Sequence, residues 1–192
     1  MREIKFLYTS PISSSSFIKP QRLYYQLGDD EYYWDFYQAF DSVGILLFLP
    51  KQESLLLLKH YRPCAFLREK KAQSYELCAG LVDKKGKSLE QIAQEEILEE
   101  CGYGIPLERL VQIHSFFGNV GLTPAKQTLF FATIHEEEKI TQGGGEGDEN
   151  FEPFFLKTSE ILDFLKNPNI PKTTSLAYML QWFYIERMEK NR

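Results

Sequence analysis

The order of the predicted elements indicates an α+β, or mixed α/β, fold. Short runs that favour β-strands follow one another along most of the chain, and three helical patterns are inserted among them. Many strands with inserted helices are typical of a sheet that is covered by helices. A chain of 192 residues can bury a sizeable core, and no internal repeat divides it. The sequence therefore predicts one domain, with at most a small addition.

Two aromatic-rich runs near the N-terminus predict a β-hairpin. Residues 22–27 and 32–37 favour strands, and Gly28-Asp29-Asp30 supplies a turn between them. An isolated hairpin cannot bury this many aromatic side chains, so we expect its surface to face the main domain or a second subunit. Trp34 lies in the second run, where its ring is suited either to stacking on a nucleobase or to packing within the hairpin.

The remaining elements follow from hydrophobic runs and helical spacing. Strands are predicted over residues 43–49, 54–59, 75–78, 112–116, 127–134 and 151–156. Helices are predicted over residues 88–101, 159–165 and 174–188. In the last helix the apolar side chains keep helical spacing, which indicates core packing: Leu176, Met179, Leu180, Phe183 and Tyr184.

Composition restricts the class of partner and the compartment. The chain carries 22 Lys and Arg against 27 Asp and Glu, a net charge of −5, which argues against a nucleic-acid or polybasic membrane binder. Three cysteines without a C-x-x-C pair predict reduced thiols rather than a disulfide framework or a zinc site. The N-terminal residues lack the apolar stretch that is typical of a signal peptide. The apolar run 44–50 is too short to cross a bilayer. We expect a cytoplasmic protein.

The predicted helix 88–101 carries an unusual cluster of carboxylates. Ser88 and Gln91 form a capping box at its start, and Gly102 is suited to its end. Like charges repel at helical spacing, and the helix dipole disfavours anions at this end. Residues 88–106 contain no Lys or Arg, so we expect a cation such as Mg²⁺ or Mn²⁺ to bind the cluster; the alternative is a solvated acidic face. The four carboxylates belong to Glu95, Glu96, Glu99 and Glu100.

The segment that precedes this helix is suited to a close approach of the backbone. Ala79-Gly80 ends a strand-like run, and Gly80 has no side chain, so the main-chain carbonyl of Ala79 can join the carboxylates as a ligand. A turn at Gly86 then leads back into the helix.

Residues 80–103 resemble the Nudix box, G-x5-E-x7-R-E-U-x-E-E-x-G-U, where U is aliphatic. One extra residue follows Gly80, so Lys87 holds the first acidic position of the pattern and Glu95 holds the arginine position. We interpret these two residues as a charge-swapped pair that still supports the helix. The residues that match the box are Glu96, Ile97, Glu99, Glu100, Gly102 and Tyr103.

The resemblance extends from about Tyr33 onward and is greatest to the branch of UDP-sugar diphosphatases and ADP-ribose diphosphatases. The motifs that carry it include residues 58–63, 76–80, 120–123 and 170–173. It implies an α/β/α sandwich with a mixed sheet and an N-terminal antiparallel β extension. The corresponding division is a dimerisation extension over residues 1–40 and a Nudix hydrolase domain over residues 41–192. A homodimer is the implied assembly.

The activity that the resemblance implies is Mg²⁺-dependent hydrolysis of the diphosphate bond of a nucleoside diphosphate sugar. UDP-glucose, giving UMP and glucose 1-phosphate, is the first expectation. ADP-ribose, giving AMP and ribose 5-phosphate, is the alternative, since no residue separates uracil from adenine by physical argument. A Nudix-like binding module without turnover is a third hypothesis, motivated by Lys87 and Glu95.

The resemblance also assigns roles to individual residues. It implies that the Ala79 carbonyl, Glu96 and Glu100 bind metal, and that Glu99 is catalytic through a second ion or its water. A further carboxylate comes from the glycine-rich loop that follows; Glu149 matches best, Glu146 is the alternative, and Asp148 and Glu152 are further candidates. The implied substrate contacts are Arg62, whose planar fork suits phosphate oxygens, Glu76 and Trp34.

Overall fold

The computed structural model describes residues 6–15, 18–69, 73–145 and 151–189. The strands are β1 (Lys19–Leu27), β2 (Asp30–Gln38), β3 (Ser42–Leu49), β4 (Ser54–Tyr61), β5 (Gln73–Glu76), β6 (Cys78–Leu81), β7 (Val111–Phe117), β8 (Lys126–Thr133) and β9 (Phe151–Lys157). The α-helices are α1 (Pro63–Glu69), α2 (Leu89–Glu96), α3 (Ile161–Lys166) and α4 (Thr174–Phe183). In these described ranges, no helix is both long and apolar enough to span a membrane.

A seven-stranded mixed sheet forms the centre of the molecule. Its path is β5-β4-β3-β8-β7, with β6 added to β3 and β9 added to β4. The β3 and β8 strands are parallel, whereas the other neighbours are antiparallel. Residues 42–45 of β3 pair with β6 and residues 47–49 pair with β4, so two strands share one edge of β3. The site described below lies beside the place where these two strands diverge.

Alternation along β3 divides the core into two layers. Because successive side chains of a strand point to opposite faces, Ile45 and Leu47 pack with Ile92 of α2, while Leu46 packs with Leu180 of α4. A strand that is covered on both faces reads as a continuous hydrophobic run, which is why residues 43–49 show no polar alternation. The mixed α/β class and the sandwich of helices around a mixed sheet are confirmed.

The predicted N-terminal hairpin forms a separate two-stranded sheet. The β1 and β2 strands pair antiparallel through the turn at Gly28-Asp29. Trp34 donates its indole N–H to the Gly121 carbonyl at 3.0 Å, and the Tyr37 amide donates to the Leu122 carbonyl at 2.9 Å. Much of the hydrophobic surface of the hairpin, most of it aromatic, stays exposed in the single chain: Leu23, Tyr24, Tyr25, Leu27, Tyr32, Tyr33 and Trp34.

Two elements differ from the sequence-based prediction. The predicted strand 75–78 is split at Leu77, because β5 pairs with β4 whereas β6 pairs with β3. The hydrophobic pattern does not reveal a change of pairing partner. The α1 helix was not predicted, although Pro63 at its first position is a known signal for a helix start.

The two longer predicted helices do not remain α-helical to their ends. The α2 helix continues as a wider π-helical turn over Ile97–Cys101, and α4 continues in the same way over Tyr184–Glu189. The predicted capping box between Ser88 and Gln91 is present, and Gly102 ends the first helix with φ +78°. Helical periodicity alone does not distinguish the two kinds of turn, yet π-helical turns are frequent at functional sites.

Candidate active site

A cavity of about 670 Å³ lies beside β6, α2 and the end of β4. The structure brings together there residues that are far apart in the sequence, from the end of β4 to the N-terminus of α4. Those predicted from the sequence and found in its lining are Arg62, Glu76, Ala79, Glu96, Glu99 and Glu100.

The carboxylate of Glu96 rests directly on the bare backbone of Gly80. A Cβ atom added to Gly80 would lie 2.1 Å from Cδ and 2.2 Å from Oε1 of Glu96, distances at which atoms cannot coexist. The prediction that a glycine here allows a close approach is therefore confirmed. The missing side chain of Gly80 leaves the space that the Glu96 carboxylate occupies.

Glu100 is held inside the protein rather than at its surface. Only 6% of the residue is exposed, and its Oε2 accepts a hydrogen bond from the Ala79 amide at 2.9 Å. Buried carboxylates are uncommon in proteins unless they are paired, hydrogen-bonded or bound to a metal. This contact joins the π-helical turn to β6, so that Glu100 and Ala79 form one wall of the cavity.

The glycine-rich segment is anchored to the same helix end. The amides of Gly144 and Gly145 donate to the carbonyls of Glu100 and Glu99, at 2.8 and 3.2 Å. Gly143 has φ +68°, and a Cβ there would lie 2.5 Å from the Glu100 carbonyl oxygen. Glycine is needed here because a close approach and a left-handed backbone coincide.

Lys84 contributes a side-chain cation to the acidic cluster. Its Nζ lies 3.1 Å from a carboxylate oxygen of Glu95, 3.5 Å from Glu99 and 3.9 Å from Glu96. The hydrogen bond to Glu95 and the charges of Glu99 and Glu96 raise the pKa of Lys84. Residues 88–106 contain no Lys or Arg, but Lys84 of the preceding loop balances part of the negative charge of this cluster.

Lys87 and Glu95 are in direct contact, as the charge-swapped pair requires. Hydrogen bonds from Lys87 and from Lys84 lower the pKa of Glu95, which keeps the carboxylate ionised. Glu95 therefore joins two lysines of one loop to the helix that carries the acidic cluster. Whether this arrangement replaces the missing arginine in turnover stays a prediction.

We expect Lys87→Glu and Glu95→Arg each to lower turnover, because either change alone brings like charges together. The double variant should recover most of the loss, although recovery is incomplete because Glu95 also binds Lys84. Steady-state kcat of the four proteins measures this. Lys85→Glu, the same charge change in the same loop, serves as the control and should keep normal turnover. Additive losses in the double variant would contradict the pair.

Arg62 is oriented by a buried carboxylate. Its Nε and Nη2 donate to the two carboxylate oxygens of Glu76 at 2.9 and 2.7 Å, and Ser74 donates to the same carboxylate at 2.7 Å. Glu76 is 8% exposed, whereas the Arg62 side chain is 49% exposed. Burial by itself would raise the pKa of Glu76, but the hydrogen bonds from Arg62 and Ser74 outweigh it and hold that pKa below its usual value. The guanidinium is thus fixed at the cavity wall.

The lowered pKa of Glu76 predicts a pH-dependent contribution to stability. A carboxylate whose pKa is lower in the folded state stabilises the fold above its unfolded pKa and loses this effect as the pH falls through the folded value. We expect Glu76→Gln to reduce the free energy of unfolding at pH 7 by about 1–3 kcal/mol. The difference from wild type should shrink below about pH 4.3. Urea unfolding at several pH values tests this.

Glu152→Gln is the matched control for that experiment. Glu152 forms an ion pair with Lys59 at 2.7 Å, but its side chain is 48% exposed. Exposed pairs contribute about 0–1 kcal/mol, so the control should have the smaller effect at pH 7. A Glu76→Gln variant that is as stable as wild type at neutral pH would contradict the prediction.

Glu96, Glu99, Glu100 and Ala79 form one side of the cavity, called the acidic wall below, and this wall suits a hard divalent cation. Carboxylate and carbonyl oxygens are the donors that Mg²⁺ and Mn²⁺ prefer, and Glu96, Glu100 and Ala79 supply them around one cavity. The bare Gly80 backbone leaves room for the Glu96 carboxylate. Among the described residues, no three acidic, His or Cys side chains already form a complete ligand set. Lys84 is instead the cation beside Glu96 and Glu99.

Other predicted site residues lie away from this cavity or outside the described residues. Trp34 is on the hairpin, bonded to Gly121, and is not part of the cavity lining. Glu152 is on β9, where it pairs with Lys59. Glu146 and Glu149 lie outside the described residues, as does Asp148.

The cavity is also lined by residues that the sequence analysis did not identify. His60 packs against Phe151, with ring centroids 4.4 Å apart, at the end of β4. Gln127 comes from β8, while Thr173 and Ser175 come from the N-terminus of α4. His60 and Thr173 fall within segments that carry the resemblance, which is the signal that could have identified them.

Comparisons with known proteins show the family and the fold of the chain. The model of the NUDIX domain matches residues 39–183. The chain is 30% identical to a uridine diphosphate glucose pyrophosphatase of Bos taurus, over 96% of each protein. It is 28% identical to a GDP-mannose pyrophosphatase of Shigella flexneri serotype 5b, over 78% of each. A crystal structure titled as an ADP compounds hydrolase has the same fold, with a TM-score of 0.70, 13% identity and coverage of 92% and 91%. The chain belongs to the Nudix family.

Proposed function

We propose that this protein hydrolyses the diphosphate bond of nucleoside diphosphate sugars, with UDP-glucose as the first candidate substrate and UMP and glucose 1-phosphate as products. The observation that carries the proposal is a single cavity that combines the carboxylates of Glu96, Glu99 and Glu100 with an oriented arginine, Arg62. The name of the Bos taurus relative, which matches nearly the whole chain, supports the choice of substrate.

Several residues of the cavity lining have a chemical task in this proposal. Glu96, Glu100 and the Ala79 carbonyl hold a divalent ion, Mg²⁺ or in its place Mn²⁺. When bound, such an ion neutralises the charge of the diphosphate and activates a water molecule for attack. Glu99 binds a second ion or orients that water. Arg62, fixed by Glu76, binds phosphate oxygens through its planar fork.

A carboxylate that follows the glycine-rich segment completes the proposed machinery. Glu149 is the first candidate for the general base and Glu146 is the second. The anchoring of Gly144 and Gly145 to the carbonyls of Glu100 and Glu99 supports the proposal, because the chain leaves for residue 146 from the acidic wall itself. Replacing each glutamate with Gln and measuring kcat distinguishes them.

We also propose that residues 1–40 form a dimerisation extension of a Nudix domain spanning residues 41–192, in a cytoplasmic homodimer. The exposed aromatic face of the hairpin supports the dimer. The buried free thiols of Cys78 and Cys101 suit a reducing compartment such as the cytoplasm.

Tyr24 and Tyr33 are cross-strand partners on the hairpin, and they are 73% and 59% exposed. Changing both to Lys should yield a monomer by light scattering, while Phe155→Lys on β9 should not. A wild-type protein that is itself monomeric would overturn the proposal.

A substrate panel at fixed Mg²⁺ tests the function directly. It contains UDP-glucose, UDP-galactose, GDP-mannose, ADP-ribose, ADP-glucose and NADH, with identification of the phosphate products. We expect the highest kcat/KM with UDP-glucose and no turnover in excess chelator. Preference for ADP-ribose would replace the substrate but keep the chemistry. Turnover of none, with nucleotide still raising the melting temperature, would show a binding module instead.

A further inference from the structure

A second cavity lies next to the first and has a different chemical character. Its volume is about 450 Å³, and it is formed by the end of β7 with the N-terminal half of α4. Gln127, Thr173 and Ser175 line both cavities, so the two are adjacent. Adjacent cavities are suited to the two ends of one extended ligand.

The lining of the second cavity excludes the charged part of a nucleotide. All described residues in its lining are uncharged, whereas the first cavity contains Arg62, Lys84 and the acidic wall. A diphosphate placed in the second cavity would lose its hydration without gaining a countercharge. This cavity is suited only to an uncharged end of the substrate.

The aromatic rings in the lining of this cavity indicate which uncharged end of the substrate it binds. Phe116, Phe117 and Tyr178 line the cavity together with Leu129. Phe116 and Tyr178 meet edge to face with ring centroids 4.7 Å apart, and the rings of His114 and Phe116 also meet edge to face, at 4.4 Å. Planar bases stack on aromatic faces. The polar edge of a base finds partners in the same lining, because Gln127, Thr173, Thr174 and Ser175 carry side chains that can hydrogen-bond.

We propose that this second cavity is the nucleobase subsite of the enzyme. This inference rests on the proposed function, because it assigns the two ends of a nucleoside diphosphate sugar. The base stacks against the Phe116, Phe117 and Tyr178 group. The amide of Gln127, at the boundary of the two cavities, can both donate to and accept from the polar edge of the base. The diphosphate then lies in the first cavity.

The test compares the two halves of the substrate in calorimetric titrations with Mg²⁺ present. Phe116→Ala and Phe117→Ala should weaken UMP binding by roughly tenfold or more, the size of a lost stacking contact. Binding of glucose 1-phosphate should not change. Phe155→Ala, the same substitution at a half-exposed position on β9, is the matched control and should affect neither ligand. With UDP-glucose, we expect the variants to raise KM more than they lower kcat.

Phe116→Leu separates stacking from a simple loss of packing. Leucine keeps most of the apolar volume but has no aromatic face, so UMP binding should still weaken while the melting temperature stays near that of wild type. Unchanged UMP binding in all three variants would overturn the subsite. So would a selective loss of glucose 1-phosphate binding, since that result would place the sugar in this cavity.

Failure of the subsite can be distinguished from failure of the proposed function. A wild-type protein that hydrolyses UDP-glucose, with variants that bind UMP normally, would overturn the subsite alone. A wild-type protein that hydrolyses nothing, but binds UMP in a Phe116-dependent way, would overturn the hydrolase alone. Absence of both turnover and UMP binding would overturn both.

Discussion

Replacement of Glu100 by Gln is expected to lower kcat with UDP-glucose by at least about 100-fold, the upper range for loss of even an indirect partner of a metal site. The substitution removes one negative charge from the acidic wall and keeps the shape of the side chain. The amide oxygen of the new glutamine can still accept the hydrogen bond from the Ala79 amide, so the link between the π-helical turn and β6 is kept. The fold should therefore change little while metal binding and turnover are lost.

Three measurements define the Glu100 experiment: kcat, the melting temperature and Mn²⁺ affinity by calorimetry. Glu90→Gln is the matched control, because Glu90 lies in the first turn of the same helix and is not in the lining of the cavity. It should keep normal kcat and Mn²⁺ affinity. Near-normal turnover in Glu100→Gln would refute the assignment of the acidic wall as the metal site.

Gly80→Ala should abolish most of the activity through a single added methyl group. The new Cβ would coincide with the Glu96 carboxylate, so that side chain must adopt another rotamer. Displacement of a catalytic group by about 1 Å costs on the order of 100-fold in rate. Stability should hardly fall, since only the end of a flexible side chain has to move and alanine suits a strand better than glycine.

A double-variant cycle shows whether the methyl group acts through Glu96. Once Glu96→Ala has removed the carboxylate, adding Gly80→Ala should cause almost no further loss of kcat. Gly121→Ala is the control, because the nearest atom to its added Cβ, Oδ1 of Asn119, is 3.9 Å away. Full turnover in Gly80→Ala would contradict the observed packing. Independent, multiplying losses would show that the methyl group acts elsewhere.

Local signals in the sequence determine much of this fold. The hairpin follows from two aromatic runs around Gly28, and the start and end of the acidic helix follow from Ser88, Gln91 and Gly102. The signals are strong because each depends on residues close together in the chain. The break between β5 and β6 at Leu77 and the π-helical turn after Glu96 depend on distant partners, and so the pattern did not reveal them.

The residues of the candidate site were also predictable where the signal is local, and not where it depends on the tertiary fold. The box identified Glu96, Glu99 and Glu100 because their spacing is short and their charges are unusual. Lys84 was missed because it lies in a loop, where periodicity says nothing about the direction of a side chain. The second cavity could not be predicted, since Phe116 of β7 and Tyr178 of α4 meet only through the tertiary fold.

The position of Lys84 makes its ammonium group a competitor of a metal ion for the same carboxylates. Its ammonium group already lies near the carboxylates of Glu95, Glu96 and Glu99, so a divalent ion that bound this cluster would compete with a cation that is already there. Part of the attraction for the metal is thereby offset by the ion pairs it breaks. The protein should consequently stay folded in chelator. A metal ion would then activate the enzyme reversibly and would not be required for folding.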